Sequence, residues 1–298
     1  MAFVSGPRQA GKTTLVRHLL ELTAQAGNYF NWDVESHRKA ILRHPEGFWD
    51  AAGATRARIA LDEIHKYPRW KRFLKGLYDA AGARTDILVT GSGRLDVYQR
   101  GGDSLLGRYG LYRLHPFTLG EMLAPDRATV RAPEELWRLA APGAPPPGAE
   151  QALAQLERLT GFPEPLFSGS ESRLRRWRRA RHHLVIREDL RDLTRIRDIG
   201  LVEALAALLP ERVGAPLSLN ALSEDLGVAF GSVRTWVEAL GRLYYLFEIR
   251  PYAGRLARAL RREAKVYLFD FSEIADPGAR YVERFSPKGV TYEFNSWV

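Results

Sequence analysis

Cysteine is absent from this chain of 298 residues. Its absence excludes disulfides, thiolate zinc sites and cysteine nucleophiles, and leaves the redox compartment open. Long apolar runs are missing too. The nearest, LVEALAALL at 201–209, carries Glu203 and falls well short of the roughly 20 residues that span a bilayer. No secretory leader is expected, because MAFVS reaches a glycine-bearing loop after five residues. The expected location is the cytoplasm, with no membrane partner. Lysine is scarce beside arginine, while alanine, glycine and proline abound, as a GC-rich genome dictates. Acids are in deficit: 44 Lys and Arg against 35 Asp and Glu leave a net charge of +9. That excess suits a nucleic-acid partner, and genome composition accounts for it as well.

Hydrophobic residues make up 45% of the chain, enough for a sizeable core. Residues 1–118 alternate short apolar runs with helical patterns, the mark of an α/β unit. MAFVS, NYFNWD (28–33), ARIALDEI (57–64), TDILVTGS (85–92) and YGLYRLHPF (109–117) read as five strands. A helix is expected from Thr13 to Ala26. The fold class these imply is a doubly wound parallel sheet. APGAPPPGAE (141–150) interrupts the periodicity, since no buried element tolerates that density of proline and glycine. From Gln151 to Leu209 the patterns are helical, broken at TGFPEP (160–165). From Leu217 to Phe269 two short helices precede strand-like segments.

The sharpest motif is GPRQAGKTT at residues 6–14, which matches G-x-x-x-x-G-K-[ST]. Glycines let the backbone curl so that successive N–H groups face a phosphate. The helix after the loop points its positive end at the same anion. Gly6, Pro7, Arg8, Gln9, Ala10, Gly11, Lys12, Thr13 and Thr14 are the expected phosphate-binding residues. Lys12 would reach the β- and γ-phosphates of ATP, and the Thr13 hydroxyl would ligate Mg²⁺.

Hydrolysis also needs a carboxylate for the metal and a group that orients water. Asp62 and Glu63, closing the run Ile59-Ala-Leu, supply both. Asp62 would hold Mg²⁺ through water, and Glu63 would polarise the attacking water. Thr90 and Ser92 follow the apolar run ILV, at the ligand edge of a parallel sheet; either is a candidate contact to the γ-phosphate, and a capped turn is the plainer alternative. Arg108 precedes the fifth strand. It reads either as a donor to a γ-phosphate or as a surface arginine, with Arg94 and Arg100 as rivals.

Taken together, GPRQAGKTTL, ALDEIH, ILVTGSGRL, LLGRYGLYRLHPFTLGEM and GFPEPLF resemble bacterial and archaeal ATPases of the AAA+ superfamily that carry a C-terminal domain of unknown function. The likeness runs from residue 1 to about residue 280. The pairing of GR with L-x-P-F-x-x-x-E is its most specific part. The resemblance implies an AAA+-type P-loop NTPase sheet followed by a helical lid, a winged-helix domain and a nuclease-like terminal domain. By that likeness Lys12, Thr13, Asp62, Glu63, Ser92 and Arg108 take Walker A, Walker B, sensor and arginine-finger roles. ATP, ADP and Mg²⁺ are the implied ligands, and self-association would run through Arg108. The chain departs from the pattern in three places. It begins directly at the first strand. No D…(D/E)-x-K cluster occurs after about Ala279, so no nuclease activity is expected. GFPEPLF lacks the nucleotide-sensing arginine of many lids.

The expected divisions are a P-loop ATPase core over 1–140, a Pro/Gly-rich loop or linker over 141–150, a helical lid over 151–213 and a winged helix over 214–270. Residues 271–298 would be the remnant or start of a C-terminal domain. The basic run RLRRWRRARHHLVIREDLRDL (173–193) reads as a solvated helix, a DNA-phosphate contact or a reach toward a neighbouring subunit's nucleotide. In the expected winged helix, Ser218 caps the first helix and Gly227 ends it. Val233, Trp236, Val237 and Leu240 form the buried face of the second. Arg234 and Arg242 lie on that helix, and Arg255, Arg258, Arg261 and Arg262 on the wing. Three functions compete: an Mg²⁺-dependent ATPase that moves lid and winged helix, a DNA-binding winged-helix protein using ATP as a switch with little turnover, and a protein-interaction switch in a bacterial defence or stress system, the last by analogy alone.

Overall fold

The computed structural model describes residues 1–49, 56–82, 85–91, 105, 107–123, 146–190, 198–251 and 262–273. They belong to two units. One comprises Met1–His115, Arg187–Ile196 and Val237–Tyr245; the other comprises Pro116–Ile186, Arg197–Trp236 and Leu246–Val298.

The first unit is built on a parallel sheet of β1 (Ala2–Ser5), β2 (Tyr29–Asn31), β3 (Ala57–Asp62), β4 (Thr85–Thr90) and β5 (Gly110–Arg113), in the order β2-β3-β4-β1-β5. Its inner strands β1, β3 and β4 are largely buried because helices cover both faces, while the edge strand β5 is mostly exposed. On β3, Ile59 and Leu61 face one way and pack with Ile87 and Val89 of β4 and with Trp70, Leu74 and Leu77. Those last three lie at helical spacing on α3 (Trp70–Ala81). Ala60 faces the other way, where its small side chain leaves room for Val16 and Leu20 of α1 (Lys12–Glu21). A further helix, α2 (Glu35–Arg43), buries Ile41 in the first cluster.

The elements are shorter than the sequence pattern suggests. Helix α1 stops at Glu21, because Ala24 takes a left-handed φ of 54° and the Gln25 N–H turns back to Leu20 O at 2.9 Å. Strand β2 ends at Asn31, whose Oδ1 accepts the Asp33 N–H at 2.7 Å and opens a turn.

The strand order decides which residues can meet. From β1 the chain crosses to the far edge of the sheet, returns through β3 and β4, and then passes to the other side of β1. Strand β4 therefore lies between β1 and β3. Thr90 is level with Val4 on one side and with Asp62 on the other. The carboxyl ends of β1, β4 and β3 thus share one edge, at the point where the strand order reverses. That is where open α/β sheets hold ligands.

In the second unit the FTLGEM stretch forms a capping box at the start of α4 (Leu119–Leu123). The Thr118 N–H donates to Glu121 Oε2 at 2.8 Å, and the Glu121 N–H donates to Thr118 Oγ1 at 3.2 Å. Helices α5 (Ala149–Leu159), α6 (Pro163–Ser168) and α7 (Glu171–His182) come next. A proline opens α6, where a missing N–H costs nothing. The basic run on α7 is not fully solvated. Leu174, Trp177 and Arg181 form a buried stripe, while Arg175, Arg176 and Arg179 face water. The Arg181 guanidinium lies 4.5 Å from the Phe162 ring centre and 5.6 Å from that of Trp177, a desolvated cation–π arrangement.

Helices α8 (Ile199–Leu208), α9 (Leu219–Leu226) and α10 (Phe230–Arg242) precede an antiparallel pair, β6 (Leu246–Ile249) and β7 (Lys265–Leu268). Single bridges join Val213 and Pro216 to β7. The Ser218 hydroxyl accepts the Ala221 N–H at 3.4 Å, and Gly227 closes α9 at φ 63°. Val233, Trp236, Val237 and Leu240 are buried, and Arg262 is exposed. Arg255, Arg258 and Arg261 lie outside the described residues. Among those described, no helix is long and apolar enough to cross a membrane.

Gly161 offers a test of how tightly GFPEPLF is held. The Phe117 N–H donates to Gly161 O at 2.7 Å, and a Cβ on Gly161 would stand 2.4 Å from Phe117 O. Gly161→Ala should cost about 1–3 kcal/mol of stability through this backbone clash. Gly169→Ala, in open space at φ 63°, should cost only about 1 kcal/mol. Thermal denaturation of both variants decides the matter, and equal midpoints would contradict the packing described.

Candidate functional site

The loop between β1 and α1 is wound through left-handed conformations. Gly6 has φ 148°, Gln9 66° and Gly11 98°. Gly6 is required for space as well as angle, since a Cβ there would stand 2.1 Å from Leu114 O. Helix α1 starts at Lys12 with no acid in its first turn. Its first-turn N–H groups and dipole present a positive end toward the loop.

Lys12 is buried within this curl. Its Nζ donates to Gly6 O at 3.0 Å and to Pro7 O at 2.7 Å. Burial lowers its pKa from 10.5 to about 8, against the pull of Glu63 and Asp62. The folded value lies below the unfolded one, so the fold disfavours the ammonium. From this group, the unliganded protein gains stability as pH rises from about 8 toward 10.5.

Asp62 closes β3 and is buried. Three hydroxyls converge on it. Thr13 donates to Oδ2 at 2.8 Å, Tyr29 donates to Oδ2 at 2.6 Å, and Thr90 donates to Oδ1. Thr13 comes from the first turn of α1 and Thr90 from the tip of β4, so the strand order alone creates this meeting. Tyr29 was not foreseen as a site residue. It lies on β2 two positions before Asn31, the register partner of Asp62. The Arg17 guanidinium covers its ring at 4.3 Å. Burial and the bond to Asp62 raise the Tyr29 pKa, keeping its proton in place as a donor.

Glu63 parts from Asp62 at once. Its φ of 56° is left-handed, and its N–H donates to Thr90 O at 3.1 Å. Its carboxylate stands 3.4 Å from Lys66 Nζ and 3.6 Å from His65 Nε2. Burial raises the Glu63 pKa, opposed chiefly by Lys66. The adjacent acids therefore occupy different surroundings: one is locked in hydroxyl bonds, the other made more basic.

The structure brings together Gly6, Lys12, Thr13, Asp62, Glu63 and Thr90. Ser92, Arg94 and Arg100 lie outside the described residues. Arg108 is placed elsewhere. The Met1 amine donates to Arg108 O at 3.0 Å, which puts Arg108 at the amino edge of the sheet. The loop leaves the opposite edge, five residues or about 16 Å away at strand rise. Arg108 Nε pairs there with Asp79 at 3.0 Å. It does not enter the site of its own chain. A residue that sequence reasoning did not connect with the site is Asp189, whose carboxylate takes two bonds from Arg8 at 2.9 Å each. No local pattern links two positions so far apart in the chain.

Among the described residues no group of three or more His, Cys, Asp or Glu could cage a metal. The pair formed by the Thr13 hydroxyl and the Asp62 carboxylate nevertheless fits Mg²⁺. That ion takes hard oxygen ligands, keeps several waters and draws the rest from phosphate.

A phosphate loop after β1, an acid pair closing β3 and a polar strand tip between them give the first unit the arrangement of a P-loop domain. In agreement, residues 1–123 match the family model described as the AAA domain, and residues 151–274 match that of a domain of unknown function (DUF8612). Two uncharacterised proteins, from Mycobacterium tuberculosis and Mycobacterium bovis, are each 23% identical over 272 residues, covering 91% of this chain and 54% of theirs. The chain thus spans about half the length of these relatives. A solved structure of the Aeropyrum pernix Orc1 protein in complex with DNA is similar at a TM-score of 0.33 and 18% identity, covering 94% of this chain and 84% of that one.

Thr90→Val keeps the shape of the side chain and removes the donor to Asp62 Oδ1. It should destabilise the unliganded protein by about 1.5–3 kcal/mol, the range for a hydrogen bond to a charged group. Denaturant unfolding measures this, and an unchanged midpoint would remove Thr90 from the network.

Proposed function

We propose that the protein binds Mg·ATP at the loop over residues 6–14 and hydrolyses it. The observation that carries this reading is the 2.8 Å bond between Thr13 and Asp62. It places the last residue of the phosphate-binding signature against the strand-end acid, with Lys12 and Glu63 on either side.

The steps derive from the residues present. Lys12 exchanges the carbonyls of Gly6 and Pro7 for phosphate oxygens, which hold an ammonium more strongly. Backbone N–H groups of the loop and of the α1 start take the remaining phosphate oxygens. Thr13 and Asp62 would hold Mg²⁺, which when bound neutralises charge on the β- and γ-phosphates. Glu63 orients a water and accepts its proton, and the raised pKa strengthens it as a base. Thr90 keeps Asp62 turned toward Thr13. Ser92 remains a candidate γ-phosphate contact. Arg108, at the far edge, is proposed to serve only a neighbouring copy.

We place a helical lid over 151–213 and a winged helix over 214–270, with nucleotide state moving them relative to the core. Helices α9 and α10 followed by a β6–β7 pair, with Val213 and Pro216 bridged to β7, support the second assignment. A role in DNA binding is the second reading, supported by exposed Arg234 and Arg262. Against it, Arg242 pairs with Glu238 at 3.7 Å and Arg212 with Asp225 at 2.8 Å, which lowers the local positive field.

Lys12→Ala should abolish nucleotide binding in calorimetry; unchanged affinity would remove the loop assignment. Glu63→Gln should retain ATP while phosphate release falls by about 100-fold or more; normal release would give the water to another group. Binding should also take up a proton above pH 8, because phosphate restores the ammonium on a lysine whose pKa is about 8. Calorimetry at pH 9 in two buffers of different ionisation heat measures that uptake. None would mean that the ammonium does not meet the phosphates.

A further inference from the structure

The loop carries a second cation whose surroundings are as defined as those of Lys12. Asp189 grips one edge of the Arg8 guanidinium: Nε donates to Oδ2 and Nη2 to Oδ1, both at 2.9 Å. A two-bond grip of this kind fixes the guanidinium plane. It uses two of five N–H groups. The outer edge, formed by Nη1 and the second Nη2 hydrogen, lies beyond the reach of that carboxylate. Asp189 is a firm anchor, because its side chain is only 7% exposed while that of Arg8 is 30% exposed. Both charges lie close to the proposed catalytic groups. Arg8 acts electrostatically on Lys12 and on Glu63, and Asp189 acts on Lys12.

We propose that Arg8 binds the terminal phosphate of ATP through its outer edge, with Asp189 as the positioning residue. The loop would thereby tell ATP from ADP and pass that difference to the segment bearing Asp189. The inference rests on the nucleotide reading and adds a residue pair to it. GFPEPLF offers no sensing arginine; here the arginine sits on the loop itself, and the acid that aims it arrives from 181 positions further along the chain. Neutralising one edge of a guanidinium leaves the other edge directed and still able to donate to phosphate. A lysine cannot reproduce this, because an ammonium has no fixed edges.

The test compares binding of a non-hydrolysable ATP analogue and of ADP, each with Mg²⁺, by calorimetry on the full chain. Arg8→Ala should weaken the analogue by about tenfold or more, the scale of one charge-assisted contact, and ADP by less than about twofold. Asp189→Asn should weaken the analogue severalfold and leave ADP unchanged. Arg8→Lys should not restore the preference. Equal loss of both ligands in Arg8→Ala would assign Arg8 to loop shape and overturn the proposal. So would a full ATP preference in Arg8→Lys, or an Asp189→Asn protein that melts earlier with its preference intact. Should Arg8→Ala fail to fold, the ratios measured for Arg8→Lys and Asp189→Asn carry the same decision. Failure of the nucleotide reading shows separately, as undiminished binding of both ligands to Lys12→Ala.

Discussion

Taking the Lys12 ammonium out of water carries a desolvation cost, visible in a pKa lowered to about 8. No hydrocarbon neighbour offsets such a cost; only oxygen atoms do. Here these are the carbonyls of Gly6 and Pro7, helped by the field of Glu63 and Asp62. The rest of the first unit can be understood as what is needed to keep those oxygens and acids there. The loop must curl tightly enough to turn two carbonyls inward, which requires a glycine pressed against Leu114. The acids must end a strand at the same edge, which requires β4 between β1 and β3. The hydroxyls of Thr13, Tyr29 and Thr90 must hold Asp62 as an oriented acceptor, since a buried carboxylate without donors would be as costly as the lysine.

An arrangement of this kind favours function over stability. A buried cation at less than its preferred hydration, a left-handed Gln9 and a left-handed Glu63 all store free energy at one edge of the sheet. The helices on either face offset it, through clusters centred on Ile59, Leu61 and Leu74 on one side and on Val16 and Leu20 on the other. A triphosphate would satisfy the same ammonium and the N–H groups at the start of α1 together.

Much of this was legible in the sequence. Five apolar runs marked the five strands, and the GKT and DE motifs marked Lys12, Thr13, Asp62 and Glu63. Strand and helix ends were less legible. Helix α1 ends at Glu21 and β2 at Asn31 because of an Ala24 turn and an Asn31 side-chain bond, and neither has a strong one-letter signature. The run at 173–193 shows the limit of counting charge. One of its arginines is buried against Phe162 and Trp177, because helical spacing puts Arg181 in line with Leu174 and Trp177.

By itself the sequence determined the alternation of strand and helix, the phosphate-binding signature and the pair of acids. Each depends on residues close together in the chain, where periodicity and turn chemistry act. Only the tertiary structure decided that Tyr29 and Thr90 join Asp62, that Arg108 lies at the opposite edge from the loop, and that Asp189 holds Arg8. Those outcomes depend on strand order and on contacts across up to 181 positions. Chain connectivity leaves such contacts undetermined until the core has chosen one packing.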